Sequence, residues 1–133
     1  MSTLVVVRRK GTVCIGGDTL TCFGTKKQLG HYTTDPDKIF RIGESYVGIV
    51  GSPAHSLVLG SAVAGQGDAP KLASRDEIFE FFRVLHPRLK DEYFLNPKED
   101  DKDPYESSQM DMLIANRFGA FGLMSLREAY EYS

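Results

Sequence analysis

Two hydroxyl residues, Ser2 and Thr3, stand directly behind the initiator Met1, at the head of the apolar run LVVV. A serine hydroxyl is a weak nucleophile at neutral pH and needs a positioned base. If Met1 is removed, a step favoured by the small side chain of Ser2, the freed α-amine has an unperturbed pKa of ~7.7–8.0 and can be that base. One residue then supplies both nucleophile and base, and the chemistry is hydrolysis through an acyl-enzyme. With Met1 retained, the same nitrogen is an amide and cannot act. Two further charged residues, Asp18 and Lys38, lie at strand boundaries. Taken singly, each reads equally well as a charge that ends or flanks a strand.

Other reactive residue types give less. His31, His55 and His86 are far apart in sequence, and Cys14 and Cys22 match no metal-ligand spacing, so no metal and no cofactor is expected. Both cysteines are read first as core residues of a protein from a reducing compartment. The acidic, proline-bounded stretch 95–107 (LNPKEDDKDPYES) lacks the spacing of a calcium loop and reads as an exposed loop. Phe79, Phe81, Phe82, Tyr93 and Phe94 form helical aromatic stripes suited to a core or a subunit interface.

Composition narrows the function classes. The 133 residues are 41% apolar, enough for the core of a single domain over residues 1–133. Sixteen basic residues against 18 acidic ones give a formal charge of −2, so no global field recruits nucleic acid or an anionic membrane. Arg8, Arg9 and Lys10 interrupt the first apolar run, which excludes a signal-peptide core there, and a cytoplasmic location is expected.

These residues must be positioned by strands first and helices second. Residues 3–9 and 12–18 are β-branched runs joined by Lys10-Gly11, a hairpin signal. A third strand is expected over 19–25, and a strand pair over 38–42 and 45–51 splits at Gly43-Glu44. Ser52 suits a helix N-cap and Pro53 a first helical position, so a helix is expected through 53–64. A second helix begins at Ser74, which with Glu77 forms a capping box, and Pro87 is expected to kink or interrupt it. Strands follow over 109–115, 120–125 and 127–132. Strands at both ends with consecutive helices between argue for an α+β fold rather than a doubly wound one.

Read from Ser2, the pattern STLVVVRRKGTVCIGGD, then KIFRI, then VGIVGSPAH resembles the proteasome-type β subunits of the N-terminal nucleophile hydrolases. It is most similar to the bacterial ATP-dependent protease subunit of the heat-shock-locus type and to the beta-proteobacterial proteasome homologues. The segment LHPRLKDEYFLNPKEDD resembles the latter group in particular. The resemblance implies that Ser2 is the nucleophile, because the register to Gly17-Asp18 fits the family from Ser2 and not from Thr3. Strand parity agrees, since a slip of one residue turns a side chain to the other face of the sheet. The family's threonine is here a serine.

The resemblance further implies that Lys38 is a buried lysine whose ammonium lowers the pKa of the neighbouring amine, and that Asp18 is its carboxylate partner. It places the oxyanion-binding N–H at Gly51 and a substrate cleft at Thr21 and Cys22, where an extended peptide pairs as an added strand. Val50, Ala54 and His55 then flank a modest apolar pocket beside the nucleophile. The implied fold is a four-layer αββα sandwich, here expected to lack its C-terminal helices together with a serine and an aspartate that support the nucleophile.

The function that follows is a self-compartmentalising endopeptidase subunit. Its substrates are peptides or unfolded proteins, its assembly is a homo-oligomeric ring, and its partner in some relatives is an unfoldase ATPase. Two alternatives stay open at this point: a noncatalytic scaffold subunit of the same fold, and a small-molecule amidase using the same nucleophile.

Overall fold

Lys10 and Gly11 both take positive φ, 49° and 78°, so that strand β1 (Leu4–Arg9) turns straight back into β2 (Thr12–Gly17). The computed structural model describes residues 3–23, 25–32, 37–98 and 104–133, and of residues 21–23, 32 and 98 it describes the backbone. After the first hairpin come β3 (Thr21–Phe23) and β4 (Lys26–Gln28), which pair with each other, and a 3₁₀ turn at Gly30–Tyr32. β5 (Ile39–Ile42) and β6 (Ser45–Val50) form the next hairpin. Helices α1 (Ala54–Ala64) and α2 (Arg75–Asp91) follow, then the short pair β7 (Pro97–Lys98) and β8 (Ser107–Ser108). The chain closes with β9 (Asp111–Asn116), β10 (Gly119–Met124) and β11 (Glu128–Tyr132).

The main sheet is antiparallel and five-stranded, in the order β11-β10-β9-β6-β5. Its register sets Val47, Ile114 and Phe121 side by side, and likewise Ile49, Met112, Leu123 and Ala129. These rows form one apolar face, and the stripes Leu59 and Ala62 of α1 and Ile78, Phe82, Leu85 and Leu89 of α2 complete the core with them. At ~1.5–3 kcal/mol for each large apolar side chain removed from water, this layer contact is the main stabilising term. The opposite face of the sheet meets the β1–β2 ribbon. The layers are therefore helices, main sheet and ribbon.

Close approach of ribbon and sheet depends on small residues. A Cβ at Gly48 would lie 2.9 Å from Leu4 Cδ1, and one at Gly17 would lie 2.7 Å from Leu4 Cδ2. Leu4 is thus clasped between two glycines, which fixes the start of β1 against the sheet. At the β9–β10 turn, buried Asn116 accepts from the N–H of Phe118 at 2.9 Å and of Gly119 at 3.2 Å. Its amide donates to Ser45 Oγ at 3.1 Å and to the Leu72 carbonyl at 2.8 Å.

Several expectations need correction. The third strand is shorter than 19–25, because Asp18 to Leu20 are taken up by a side-chain network described below. Pro53 has helical angles, −57° and −21°, but lies just before α1, and Ser52 Oγ accepts from Ala54 N–H at 3.2 Å. Ser74 Oγ accepts from Glu77 N–H at 3.2 Å as a capping box requires, whereas the Glu77 carboxylate accepts from Ala73 N–H at 3.0 Å rather than from Ser74 N–H. Pro87 does not interrupt α2. It sits on the exposed face, where the carbonyl it leaves unpaired can meet water, and buried Leu85 and Leu89 hold the helix on either side. The 95–107 loop carries a strand pair at its ends, while 99–103 lie outside the described residues. Cys14 is exposed rather than a core residue, on the outer face of the ribbon beside Val7.

Candidate active site

Asp18 follows β2 directly, and the pairing of β2 with β1 returns it to the beginning of the chain. There Asp18 N–H donates to the Thr3 carbonyl at 3.2 Å, and Thr3 N–H donates to Asp18 Oδ1 at 2.9 Å. The second carboxylate oxygen accepts from Leu20 N–H at 3.2 Å. Lys38, at the entry to β5, closes the network from the other side. Its Nζ donates to Oδ1 at 3.0 Å, to Oδ2 at 2.9 Å and to the Leu20 carbonyl at 2.7 Å.

All three donors of the ammonium thus have acceptors, in a setting where the Lys38 side chain keeps 15% of its exposure and Asp18 33%. The Asp18 carboxyl is held at about 2, below its ordinary 3.8. The leading cause is the N–H of Thr3, followed by the hydrogen bond from Lys38, with burial opposing both. Asp18 is therefore a fixed anion. It locks the lysine in place and ties it to the main chain one residue from Ser2.

The other wall begins where β6 ends. Val50 lines a pocket of about 330 Å³ together with Thr3, Leu4, Asp111, Met112, Leu113 and Met124, so that the start of β1 and the end of β6 share one cavity. Gly51 follows with φ of +115°, a conformation that L side chains rarely adopt. His55, on the first turn of α1, packs its ring against this glycine: a Cβ at position 51 would lie 3.0 Å from His55 Cδ2 and 3.1 Å from Nε2. Burial lowers the His55 pKa and favours the uncharged imidazole.

The arrangement gathers a spoken-for ammonium, an exposed glycine at a strand-to-helix junction and an apolar cavity around the start of β1. No family model matches the chain, and no curated protein does. Solved structures do. The chain superposes on the beta-proteobacterial proteasome homologue (BPH) of Thiobacillus denitrificans with a TM-score of 0.90 and 38% identity, covering 100% of this chain and 68% of that one. It matches the same protein in complex with epoxomicin with a TM-score of 0.89, 38% identity and the same coverage of 100% and 68%. The chain belongs to the proteasome-type β-subunit family. Its mixed α/β architecture of packed sheets and two helices is close to the BPH fold.

Within this proteasome-type chain, the residues singled out from sequence fall into three groups. Asp18 and Lys38 meet in a direct ion pair, and Val50 joins the cavity beside Thr3. Gly51 and Ala54 sit at the junction of β6 and α1, with Ala54 exposed as the first residue of the helix. Ser2 lies outside the described residues, as does Met1. The backbone puts Thr21 and Cys22 on β3, opposite Gln28 and Lys27 of β4, and their side chains lie outside the described set. Sequence reasoning missed the two Leu20 backbone groups and the Thr3 amide, because main-chain donors leave no mark in residue type. It also missed the packing of His55 on Gly51, for which the four-residue spacing across a helix start was the available signal.

No helix among the described residues is long and apolar enough to cross a membrane.

Proposed function

We propose that this chain is a proteasome-like endopeptidase subunit in which Ser2, exposed by removal of Met1, is both nucleophile and base. The observation that supports this best is the Asp18–Lys38 pair, hydrogen-bonded to the amide of Thr3 immediately after the proposed nucleophile. In this reading Ser2 Oγ attacks the scissile carbonyl carbon while its proton passes to the Ser2 amine. The Lys38 ammonium holds that amine's pKa down, so that it is free to accept the proton near neutral pH.

The developing oxyanion is taken by the Gly51 N–H at the mouth of α1. Collapse breaks the peptide C–N bond, the protonated amine returns its proton to the leaving nitrogen, and an ester to Ser2 remains. Water then adds to the ester with the same amine as base, releasing the acid and restoring Ser2. Thr21 and Cys22 on β3 pair with the extended substrate, and Val50 and Ala54 flank the side-chain pocket. That a BPH has been obtained in complex with epoxomicin favours a peptide-reactive site on this fold.

The reading includes the four-layer αββα arrangement as a single domain in the cytoplasm. The outer face of the β1–β2 ribbon, with Val5 at 54% and Val7 at 55% exposure, suits cover by a second helical layer. It also includes a homo-oligomeric ring that encloses the nucleophiles and admits unfolded chains, with an unfoldase ATPase as feeding partner.

The test is Ser2→Ala in the full natural chain, assayed on a fluorogenic peptide and sized by analytical ultracentrifugation. Hydrolysis is expected to vanish with assembly intact. Turnover at the wild-type rate would refute the nucleophile assignment.

A further inference from the structure

His55 and Gly51 are in direct contact across the start of α1. An added Cβ on the glycine would meet the Cδ2–Nε2 edge of the ring rather than open space, at 3.0 Å from Cδ2 and 3.1 Å from Nε2. Two hydrogen bonds hold the intervening turn: His55 N–H donates to the Ser52 carbonyl at 3.0 Å, and Ala54 N–H donates to Ser52 Oγ at 3.2 Å. The ring is half-buried, and the φ of Gly51, +115°, has little intrinsic preference to hold it there.

A glycine released from such a contact samples many conformations, and a donor that must be aimed before the reaction cannot tolerate that freedom. We propose that His55 is the positioning residue of Gly51, its imidazole forming a wall that fixes the peptide carrying the proposed oxyanion donor. The inference rests on the endopeptidase reading above and adds to it a residue that works through shape. Burial favours the uncharged ring, so its contribution at this junction is one of shape rather than charge.

Shape, rather than proton transfer, makes a specific set of expectations. In the full chain, His55→Ala should lower kcat on a fluorogenic peptide by roughly 10-fold to 100-fold, the scale of a misplaced catalytic donor, while KM stays within about 2-fold. The rate of inactivation by epoxomicin should fall in parallel. His55→Phe restores an aromatic ring edge at this place and should recover most of the lost kcat. Gly51→Ala should be damaging in the wild-type background and less so with His55→Ala, because the ring it strikes is gone, so the two losses should not add.

The same double-mutant cycle read in thermal stability carries the coupling independently of activity. An unchanged kcat in His55→Ala, a Phe variant no better than Ala, or losses that add would each overturn the inference. Ser2→Ala serves as the control that leaves His55 untouched. Full turnover in that variant would overturn the endopeptidase reading and this inference with it, whereas an inert Ser2→Ala leaves the His55 series to decide the inference alone.

Discussion

Replacing Asp18 by asparagine keeps the shape of the side chain and removes its charge, which isolates what the anion contributes. Lowering the carboxyl from 3.8 to about 2 corresponds, at ~1.36 kcal/mol per pH unit, to about 2.4 kcal/mol of native-state stability. Asp18 keeps 33% of its side-chain exposure, and solvent screening reduces this to on the order of 1 kcal/mol. The sign follows from the direction of the shift. The contribution is fully present above the ordinary value of 3.8 and is lost as pH falls from there through about 2. Below that window, wild-type Asp18 is protonated and the two proteins carry the same charge at this position. Urea titrations of both proteins in parallel should therefore show a gap of about 1 kcal/mol near neutral pH that closes through the window. A gap that persists undiminished in acid, or no gap near neutral pH, would refute the account of Asp18 as a carboxylate held by Thr3 and Lys38.

Lys38→Met should leave the protein folded and lower peptide hydrolysis on the order of 100-fold or more, since both the charge beside the amine and the anchor for Asp18 are lost; steady-state kinetics with circular dichroism checks it. Asn116→Ala should cost about 3 kcal/mol in urea unfolding, because Ser45, Leu72 and the 118–119 turn lose their buried partner.

The amount legible from sequence tracked how local the determining physics was. The β1–β2 hairpin was readable because Lys10-Gly11 meets the torsional demand of the turn by itself. The Ser74 cap was readable because a side chain and an amide three residues apart settle it. Continuity of α2 through Pro87 was not, since it depends on which face of the helix is wet, a tertiary property. Cys14 failed for a related reason: alternation along β2 says that two faces differ, but not which one the main sheet covers. Asp18 and Lys38 were ambiguous one at a time. A separation of twenty positions along the chain removes the pair from any local pattern, and only the family resemblance set them together.

The choice between Ser2 and Thr3 as nucleophile can be argued on electrostatics alone. Thr3 nitrogen lies 2.9 Å from Asp18 Oδ1, in a pocket of main-chain and lysine donors that keeps the carboxylate ionised. Were Thr3 the first residue, its nitrogen would be an ammonium in a direct ion pair, and the carboxylate would raise its pKa. Such an amine stays protonated near neutral pH and cannot take a proton from a hydroxyl. As an amide the same nitrogen is not basic, and the hydrogen bond it donates to Asp18 instead pins the Ser2–Thr3 linkage to the Lys38 network. Peptide mapping after epoxomicin treatment should therefore find the adduct on Ser2 with Met1 gone. An adduct on Thr3 with Ser2 also removed would show that an amine can serve as base while paired to Asp18, and the electrostatic argument for Ser2 would fall.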